Sequence, residues 1–154
     1  MAGDRWSVAR WMSKTVHTMA PGDPLVTACE LMREHRMRHI PVVDGTRVVG
    51  IISDRDVRGV LPTMSELRTE PVPCGLRLLA LKAADVMTRL PLSVTPDTSI
   101  REAAQTICRE KIGALPVLQD GQLIGIVSAD DLLWGFSENL KEAEYVGMED
   151  EDRW

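Results

Sequence analysis

Two stretches of the chain decide its fold: HIPVVDGTRVVGIISDRD at residues 39–56 and ALPVLQDGQLIGIVSADD at residues 114–131. Each contains two short runs rich in aliphatic and β-branched residues around an Asp-Gly dipeptide, a pattern typical of a β-hairpin. The dipeptide is Asp44-Gly45 in the first stretch and Asp120-Gly121 in the second, one position later relative to its surroundings. We therefore predict two hairpins with different turn types, and a tight two-residue turn only in the second.

These hairpins belong to a longer internal repeat. A shift of 75 residues superimposes Pro21 on Pro96 without a gap and keeps the apolar positions of the two copies in register. Such self-similarity at one fixed offset indicates a duplicated structural unit. The copies cover about residues 8–61 and 83–136.

The first helix of each copy is predicted from apolar residues at helical spacing. We place its N-cap at Asp23 in the first copy and at Thr98 in the second, because Pro24 then occupies the first helical position. The alternative is a capping box at Ser99-x-x-Glu102, which has no counterpart at Pro24 and which we interpret as coincidental. The residues that mark these helices are Leu25, Ala28, Cys29 and Met32 in the first copy and Ile100, Ala103, Ala104, Ile107 and Cys108 in the second.

Each copy is expected to fold as strand, helix, strand, strand, helix. The additional first strand lies near residues 17–20 or 92–95, and the second helix starts at Ser53 or Ser128. Two helices cannot cover both faces of a three-stranded sheet, so the copies should pack sheet against sheet about a pseudo-twofold axis. The predicted class is α/β (α+β), with a first domain at 8–66, a linker at 67–82, a second domain at 83–140 and an acidic tail at 141–154.

Composition excludes several functional classes. The 154 residues carry a net charge of -5, and residues 138–154 account for all of it, so the rest of the chain has balanced charge and little field to attract nucleic acid. No apolar run is long enough for a membrane span, and residues 1–6 carry charge where a signal peptide needs an apolar stretch, which predicts a cytoplasmic protein. Three cysteines without CxxC spacing indicate reduced thiols rather than a disulfide or zinc framework.

The candidate chemistry lies in a repeated Ser-x-x-Asp, at Ser53 and Asp56 and again at Ser128 and Asp131. A rigidly held carboxylate can accept both hydroxyls of a ribose diol, and the serine hydroxyl can accept a backbone N–H while donating to a ligand. The same spacing also describes a capping box with purely structural value. Both interpretations stay open, and they are compatible with each other.

The motifs resemble those of the cystathionine-β-synthase-type (CBS) domain. In the second copy they are residues 85–88, 114–117 and 125–131. In the first copy Met12-Ser13 and residues 39–44 and 50–56 match the same pattern. A pair of such copies is similar to a Bateman module. The resemblance implies a regulatory, non-catalytic module that forms flat homodimers and binds an adenosine-containing ligand: AMP, ADP, ATP, S-adenosylmethionine or NAD.

The resemblance also implies two clefts, each combining the Ser-x-x-Asp of one copy with residues of the other. The basic pair Arg38-His39 would contact phosphate, so we expect its cleft to favour a multiply charged ligand. One cleft would join Ser128 and Asp131 to Met12, His17, Arg38 and His39, and the other would join Ser53, Arg55 and Asp56 to Met87, Leu92, Gly113 and Ala114.

Two other functional classes compete with the nucleotide sensor. The first is a structural dimerisation module without a ligand, in which the Ser-x-x-Asp residues only cap helices. The second is an enzyme, but the chain contains no GxxxxGK[ST], GxGxxG, HExxH or GxSxG motif. We also expect no metal site at His35 and His39, because the onset of a strand before Pro41 should make the rings diverge, and we expect no required cofactor.

Overall fold

The computed structural model describes residues 5–63, 65 and 74–148, without the side chains of 74, 75 and 141–148. Much of the predicted linker and the end of the predicted tail lie outside the described residues. The fold is a mixture of helices and small sheets, which confirms the predicted class. In chain order the elements are α1 (Val8–Trp11), α2 (Leu25–Glu34), β1 (His39–Asp44), β2 (Arg47–Ser53), α3 (Asp54–Gly59), α4 (Cys74–Ala80), α5 (Ala83–Val86), β3 (Thr88–Arg89), α6 (Ile100–Glu110), β4 (Ala114–Gln119), β5 (Gln122–Ser128) and α7 (Ala129–Met148).

The chain divides into two compact units. Unit 1 contains the described residues of Met1–Lys14, Ser93–Asp120 and Ile124–Trp154. Unit 2 contains those of Thr15–Leu92 and Gly121–Leu123. This grouping does not follow the order of the repeats, because the first residues of the chain belong to the unit that holds the second repeat's hairpin.

The sheet of unit 2 has the strand order β1-β2-β3, with both pairs antiparallel. His39 is paired with Ser53, so the start of β1 lies beside the end of β2. The strand predicted near residues 17–20 is reduced to a single parallel bridge between Met19 and Val42. The sequence did not predict that β3, from the beginning of the second repeat, completes this sheet.

Unit 1 repeats the same plan around the β4-β5 hairpin. The strand predicted near residues 92–95 is again a single parallel bridge, here between Val94 and Val117. The opposite edge is extended by an antiparallel bridge between Ser13 and Ile126. Each hairpin is therefore completed by residues from the beginning of the other repeat.

Both hairpins have two-residue turns, so the prediction of a tight turn only in the second hairpin was wrong. The turn residues are Gly45-Thr46 between β1 and β2 and Asp120-Gly121 between β4 and β5. The turn types differ as predicted, because φ is positive only at Gly45 in the first turn and at both residues in the second. A bulge between Val42 and Val43 shifts the register in the first hairpin, which lets its Asp-Gly sit one position earlier with an equally short turn.

The predicted N-caps were also wrong. The residues before α2 and α6 are Pro24 and Ser99, and both are extended, so Pro24 precedes the first helical turn. The Ser99 hydroxyl accepts the Glu102 N–H at 3.1 Å, which is the first half of the Ser99-x-x-Glu102 capping box, so the interpretation of that spacing as coincidental was wrong.

Asp23 and Thr98 serve the preceding turns instead. The Asp23 Oδ2 atom accepts the Ala20 N–H at 2.7 Å, and the Thr98 hydroxyl accepts the Thr95 N–H at 3.0 Å. Their acceptor atoms are directed back along the chain, so they stabilise the turn that enters each helix.

The helices that follow the hairpins begin after Ser53 and Ser128, as predicted, but they differ greatly in length. α3 has 6 residues and α7 has 20, so α7 extends into the segment predicted as an acidic tail. The predicted linker also contains a helix, α4, whose Leu78 packs into the core of unit 2. None of the described helices combines the length and the apolarity that crossing a membrane requires.

Each unit has its own apolar core. The core of unit 2 is centred on Leu25, Ile40 and Ile52 and that of unit 1 on Ile100 and Leu115, all of them fully buried. Cys29 packs against the unit 2 core, and this burial raises the pKa of its thiol, whereas Cys108 is exposed. Mainly aliphatic side chains thus fill the interior of each unit.

We call residues 6–13 and 81–89 the opening segments, because each one begins a repeat. Val8 is fully buried in the core of unit 1, where its N–H donates to the Thr98 carbonyl at 2.8 Å. At the position 75 residues later, Ala83 is fully buried in the core of unit 2 and donates to the Asp23 carbonyl at 2.9 Å. The repeats therefore exchange their opening segments.

Candidate functional site

The two Ser-x-x-Asp motifs form the same hydrogen-bonded box. The Asp56 Oδ2 atom accepts both the Ser53 N–H and the Ser53 hydroxyl at 2.7 Å, and the Asp56 N–H donates to Ser53 Oγ at 3.4 Å. In unit 1 the corresponding distances between Ser128 and Asp131 are 2.8, 2.7 and 3.2 Å. The structural interpretation of the motif is thus realised in both repeats.

The box leaves part of each carboxylate available. Within the described part of the chain, the Oδ1 atoms of Asp56 and Asp131 accept no hydrogen bond, while Oδ2 is held by two donors. Both aspartates are partly exposed. The serine hydroxyl already donates to the carboxylate, so its expected donation to a ligand is not available in this arrangement, although one of its lone pairs remains.

In unit 2 the basic pair lies next to this box. The Arg38 carbonyl accepts the Asp54 N–H at 2.9 Å, and His39 is the strand partner of Ser53. In unit 1 the Gly113 carbonyl accepts the Ala129 N–H at 3.0 Å in the same way. Arg38 and His39 are thus adjacent to the Ser-x-x-Asp of their own repeat.

A methionine from each opening segment covers the strand that leads to the box. A methyl group built on Gly50 would overlap Met87 Sδ, and one built on Gly125 would lie 2.6 Å from Met12 Sδ. The absence of a side chain at these glycines therefore admits a methionine. The close approach to the backbone that each of these glycines permits is thus made by a methionine of the same chain.

Replacing Gly50 with alanine is expected to destabilise unit 2 by about 2 kcal/mol, because the new Cβ would overlap Met87 from its sulfur back to its own Cβ. In a Met87→Ala background, which removes the overlap with the sulfur and Cγ and keeps only the Cβ contact, the same change should cost clearly less, which a double-mutant cycle of urea unfolding measures. Gly59→Ala is the matched control, since its Cβ would meet no atom within 4 Å. An equal cost of Gly50→Ala with and without Met87 would contradict this account.

His17 is held by a partner that the sequence analysis did not predict. Its ring stacks on that of His35 with a centroid distance of 3.6 Å and an angle of 16° between the planes. His17 precedes Met19, which bridges β1 in parallel, so it lies at the same end of the sheet as His39. No spacing rule connects residues 17 and 35, because they meet only through the packing of α2 beside this segment.

Charge distinguishes the two boxes. Arg55 is exposed in the first turn of α3 and pairs with none of the residues the structure describes, whereas Asp54 forms an ion pair with Arg58 at 2.7 Å. The residue in unit 1 that corresponds to Arg55 is Asp130, also exposed. No three histidine, cysteine or acidic side chains converge as a metal site would require within the described ranges.

The predicted site residues are distributed unequally between the units. Unit 2 contains the arginine and histidine side chains together with the first Ser-x-x-Asp, and unit 1 contains mainly small or apolar residues around the second. Unit 2 has His17, Arg38, His39, Ser53, Arg55, Asp56, Met87 and Leu92, and unit 1 has Met12, Gly113, Ala114, Ser128 and Asp131.

Comparison with known proteins identifies the family. The model of the CBS domain matches the chain twice, at residues 8–63 and 83–138. The CBS domain-containing protein YhcV of Bacillus subtilis is 30% identical over 126 residues, which cover 82% of each chain. The chain therefore belongs to the CBS-domain family and carries two tandem copies of the domain, as its motifs predicted.

Longer proteins and solved structures contain the same pair. An inosine-5'-monophosphate dehydrogenase of Korarchaeum cryptofilum is 34% identical over 122 residues, and the match covers 79% of this chain but only 22% of that enzyme. The CBS-pair protein CBSX2 of Arabidopsis thaliana has a TM-score of 0.72 at 26% identity, covering 88% of this chain and 97% of CBSX2. A crystal structure of CBSX2 in complex with AMP is similar, with a TM-score of 0.71 at 25% identity over 86% of this chain and 97% of CBSX2.

Proposed function

We propose that this protein is a regulatory, non-catalytic module that binds an adenosine-containing nucleotide. One observation carries the proposal: both repeats hold an aspartate whose Oδ2 is fixed by a serine while its Oδ1 accepts nothing from the described residues. Such a carboxylate is already oriented before a ligand arrives, so little conformational entropy is lost on binding.

A ribose fits this arrangement chemically. Its 2′ and 3′ hydroxyls are neighbouring donors, and a carboxylate oxygen is the stronger type of acceptor because it is charged. The Oδ1 atom accepts one hydroxyl, and the remaining lone pairs of the box accept the other. The carboxylate therefore distinguishes a ribonucleoside from a 2′-deoxyribonucleoside.

The side chains around the first box suit a phosphorylated nucleoside. Arg38 and Arg55 are both exposed cations. Arg55 adjoins Asp56 in the chain, and Arg38 precedes His39, the strand partner of Ser53. Arginine binds phosphate oxygens through two parallel N–H donors. The AMP bound by CBSX2 supports an adenine nucleotide as the ligand class.

A regulatory role follows from how binding would act on the structure. Met87 and Met12 connect the strands beside the boxes to the exchanged opening segments. A ligand that binds one arrangement of such a segment more tightly shifts the population toward it. This chain matches 22% of the length of an inosine-5'-monophosphate dehydrogenase, which supports a role as one part of a regulated protein.

Calorimetric titration with AMP and with 2′-deoxy-AMP tests the proposal. We expect AMP to bind and 2′-deoxy-AMP to bind about tenfold more weakly, because one charge-assisted hydrogen bond is lost. CMP is the control for the base. Equal binding of AMP and 2′-deoxy-AMP, or no heat with any nucleotide at millimolar concentration, would overturn it.

A structural dimerisation module is the second candidate. α7 exposes Leu133 (71%), Trp134 (62%) and Leu140 (61%), and an exposed apolar stripe two turns long suits the same helix of a second copy across a twofold axis. Sedimentation of the protein with and without AMP separates the candidates. A dimer that forms at low micromolar concentration in a protein that binds no nucleotide would favour the structural module.

A further inference from the structure

We infer that Trp11, Gly135 and Asn139 position the aspartate of the unit 1 box, Asp131, by fastening α7 to the beginning of the chain. We call these three residues the α7 clamp. The inference deepens the proposed function and rests on it, because it assumes that Asp131 holds a ribose. The clamp residues act through α7 and not by contact with the ligand.

The clamp converges on one backbone acceptor. The Arg5 carbonyl accepts the Trp11 Nε1–H at 2.7 Å and an Asn139 Nδ2–H at 3.2 Å. The same Asn139 amide group donates to the Gly135 carbonyl at 2.9 Å. Asn139 is only 3% exposed, and a buried amide donor is costly to leave unpaired, so these contacts fix its side chain.

Gly135 lets the indole of Trp11 lie directly on the backbone of α7. A methyl group built on Gly135 would lie 2.9–3.1 Å from three atoms of the indole. Glycine within a helix is less favourable than alanine, so this close packing gives the residue a reason to be there. The rings of Trp6 and Phe136, 6.1 Å apart, add a second contact between the same two elements.

The clamp and the ribose acceptor share one face of α7. Asp131, Gly135 and Asn139 are spaced at i, i+4 and i+8, and about 12 Å of helix separates the first from the last. The box joins Asp131 only to Ser128, three residues away, so it orients the carboxylate relative to α7 alone. The directional hydrogen bonds of the clamp orient α7 relative to the rest of unit 1.

The first opening segment also holds the strand that leads to this box. Met12, which follows Trp11, lies against Gly125 of β5. Ser13 and Ile126 exchange two backbone hydrogen bonds of 2.9 and 3.0 Å. One short segment thus contacts both the strand that enters the Asp131 box and the helix that leaves it, so a shift of this segment would move both.

The other repeat provides a comparison within the same chain. The positions equivalent to the clamp hold Val86, Val60 and Met64, whose side chains carry no N–H or O–H donor. The helix α3 ends at Gly59, before the equivalents of Gly135 and Asn139. The Asp56 box has the same internal hydrogen bonds as the Asp131 box, but its helix has no such residues to hold it.

Calorimetric titration of the full chain tests the inference one box at a time. Asp56→Asn leaves only the Asp131 box, and Asp131→Asn leaves only the Asp56 box. The probes are AMP, adenosine and S-adenosylmethionine, and the one that binds most tightly at each box is used there. We expect Asn139→Ala and Gly135→Ala to weaken binding about fivefold at the Asp131 box and less than twofold at the Asp56 box.

Two features separate this role from a merely structural one. A loss of stability alone lowers the melting temperature but leaves the affinity of the folded protein unchanged. Gly135→Ala favours the helical state of α7, so weaker binding in this variant reflects the displaced indole. Ser137→Ala is the matched control, an exposed position on the same helix, and should change affinity less than twofold at either box.

Coupling between the clamp and the box is reciprocal, so the ligand must also stabilise the clamp. In nuclear magnetic resonance spectra, the probe that binds the Asp131 box should slow solvent exchange of the Trp11 indole N–H about fivefold. Its signal is assigned by its loss in Trp11→Phe. The indole of Trp134, 62% exposed on α7, is the internal reference and should change less than twofold.

Three results would overturn the inference while leaving the proposed function intact. They are unchanged affinity at the Asp131 box in folded Asn139→Ala, equal weakening at both boxes, and no slowing of Trp11 exchange by a bound probe. Binding of the probes at the Asp56 box alone would also reject the inference. Absence of binding by all three probes at both boxes would reject the proposed function together with it.

Discussion

Replacing Val8 with aspartate is expected to destabilise unit 1 by about 4 kcal/mol, because it buries an unpaired charge. Val8 is fully buried among Ile100, Leu115 and Val127, although it precedes most of its neighbours by about ninety residues or more. Hydrogen exchange followed by mass spectrometry should show lost protection in α6, β4 and β5, with a smaller effect in β1 and β2.

The control for this change is Arg10→Asp. Arg10 lies on the same short helix but is exposed, so the same new residue should change stability by less than about 0.5 kcal/mol. If protection were lost instead in the hairpin of the first repeat, residues 39–53, the opening segments would not be exchanged and the account of the two units would fail.

Asp56→Asn is expected to weaken AMP binding about 100-fold at its box, with Asp131→Asn acting in the same way on whichever adenosine compound that box binds. The asparagine carbonyl still accepts from Ser53, so the helix cap is largely kept. Its amide group, however, replaces the Oδ1 acceptor with a donor. Titration measures the loss, and a melting temperature within a few degrees of wild type shows that the fold is retained.

Asp54→Asn provides a control from the same turn. Asp54 pairs with Arg58 and takes no part in the box, so its substitution removes a charge without removing the ribose acceptor. If Asp56→Asn lowered the melting temperature while leaving AMP affinity unchanged, the aspartate would act only as a helix cap.

Much of the local structure could be predicted from the sequence because it depends on near neighbours. Asp-Gly between aliphatic runs is sufficient for a hairpin, and Ser-x-x-Asp is sufficient for a capping box. Because the repeats are related by a shift of 75 residues, each assignment made in one repeat also applied to the other. The helices after Ser53 and Ser128 start where expected.

Predictions failed where two local signals competed. Asp23 and Thr98 had the right side chains for N-caps, but their acceptors were taken by N–H groups on the preceding turn. The displaced Asp-Gly of the first hairpin pointed to a longer turn, but the strand pairing absorbed the difference in a bulge at Val42 and Val43. Sequence patterns do not rank such alternative caps and turns, because the free energies of the alternatives differ by little.

The sequence by itself determined the duplication, the hairpins, the aspartate of each box and the charges beside it, because these depend on residue type and short spacing. Only the tertiary structure decided that the opening segments are exchanged, that methionines cover Gly50 and Gly125, and that His17 stacks on His35. The physical reason is that the hydrophobic effect is non-directional and does not depend on the separation of residues in the sequence. Val8 or Ala83 is stabilised in any matching cavity, and only the packed structure shows which cavity that is.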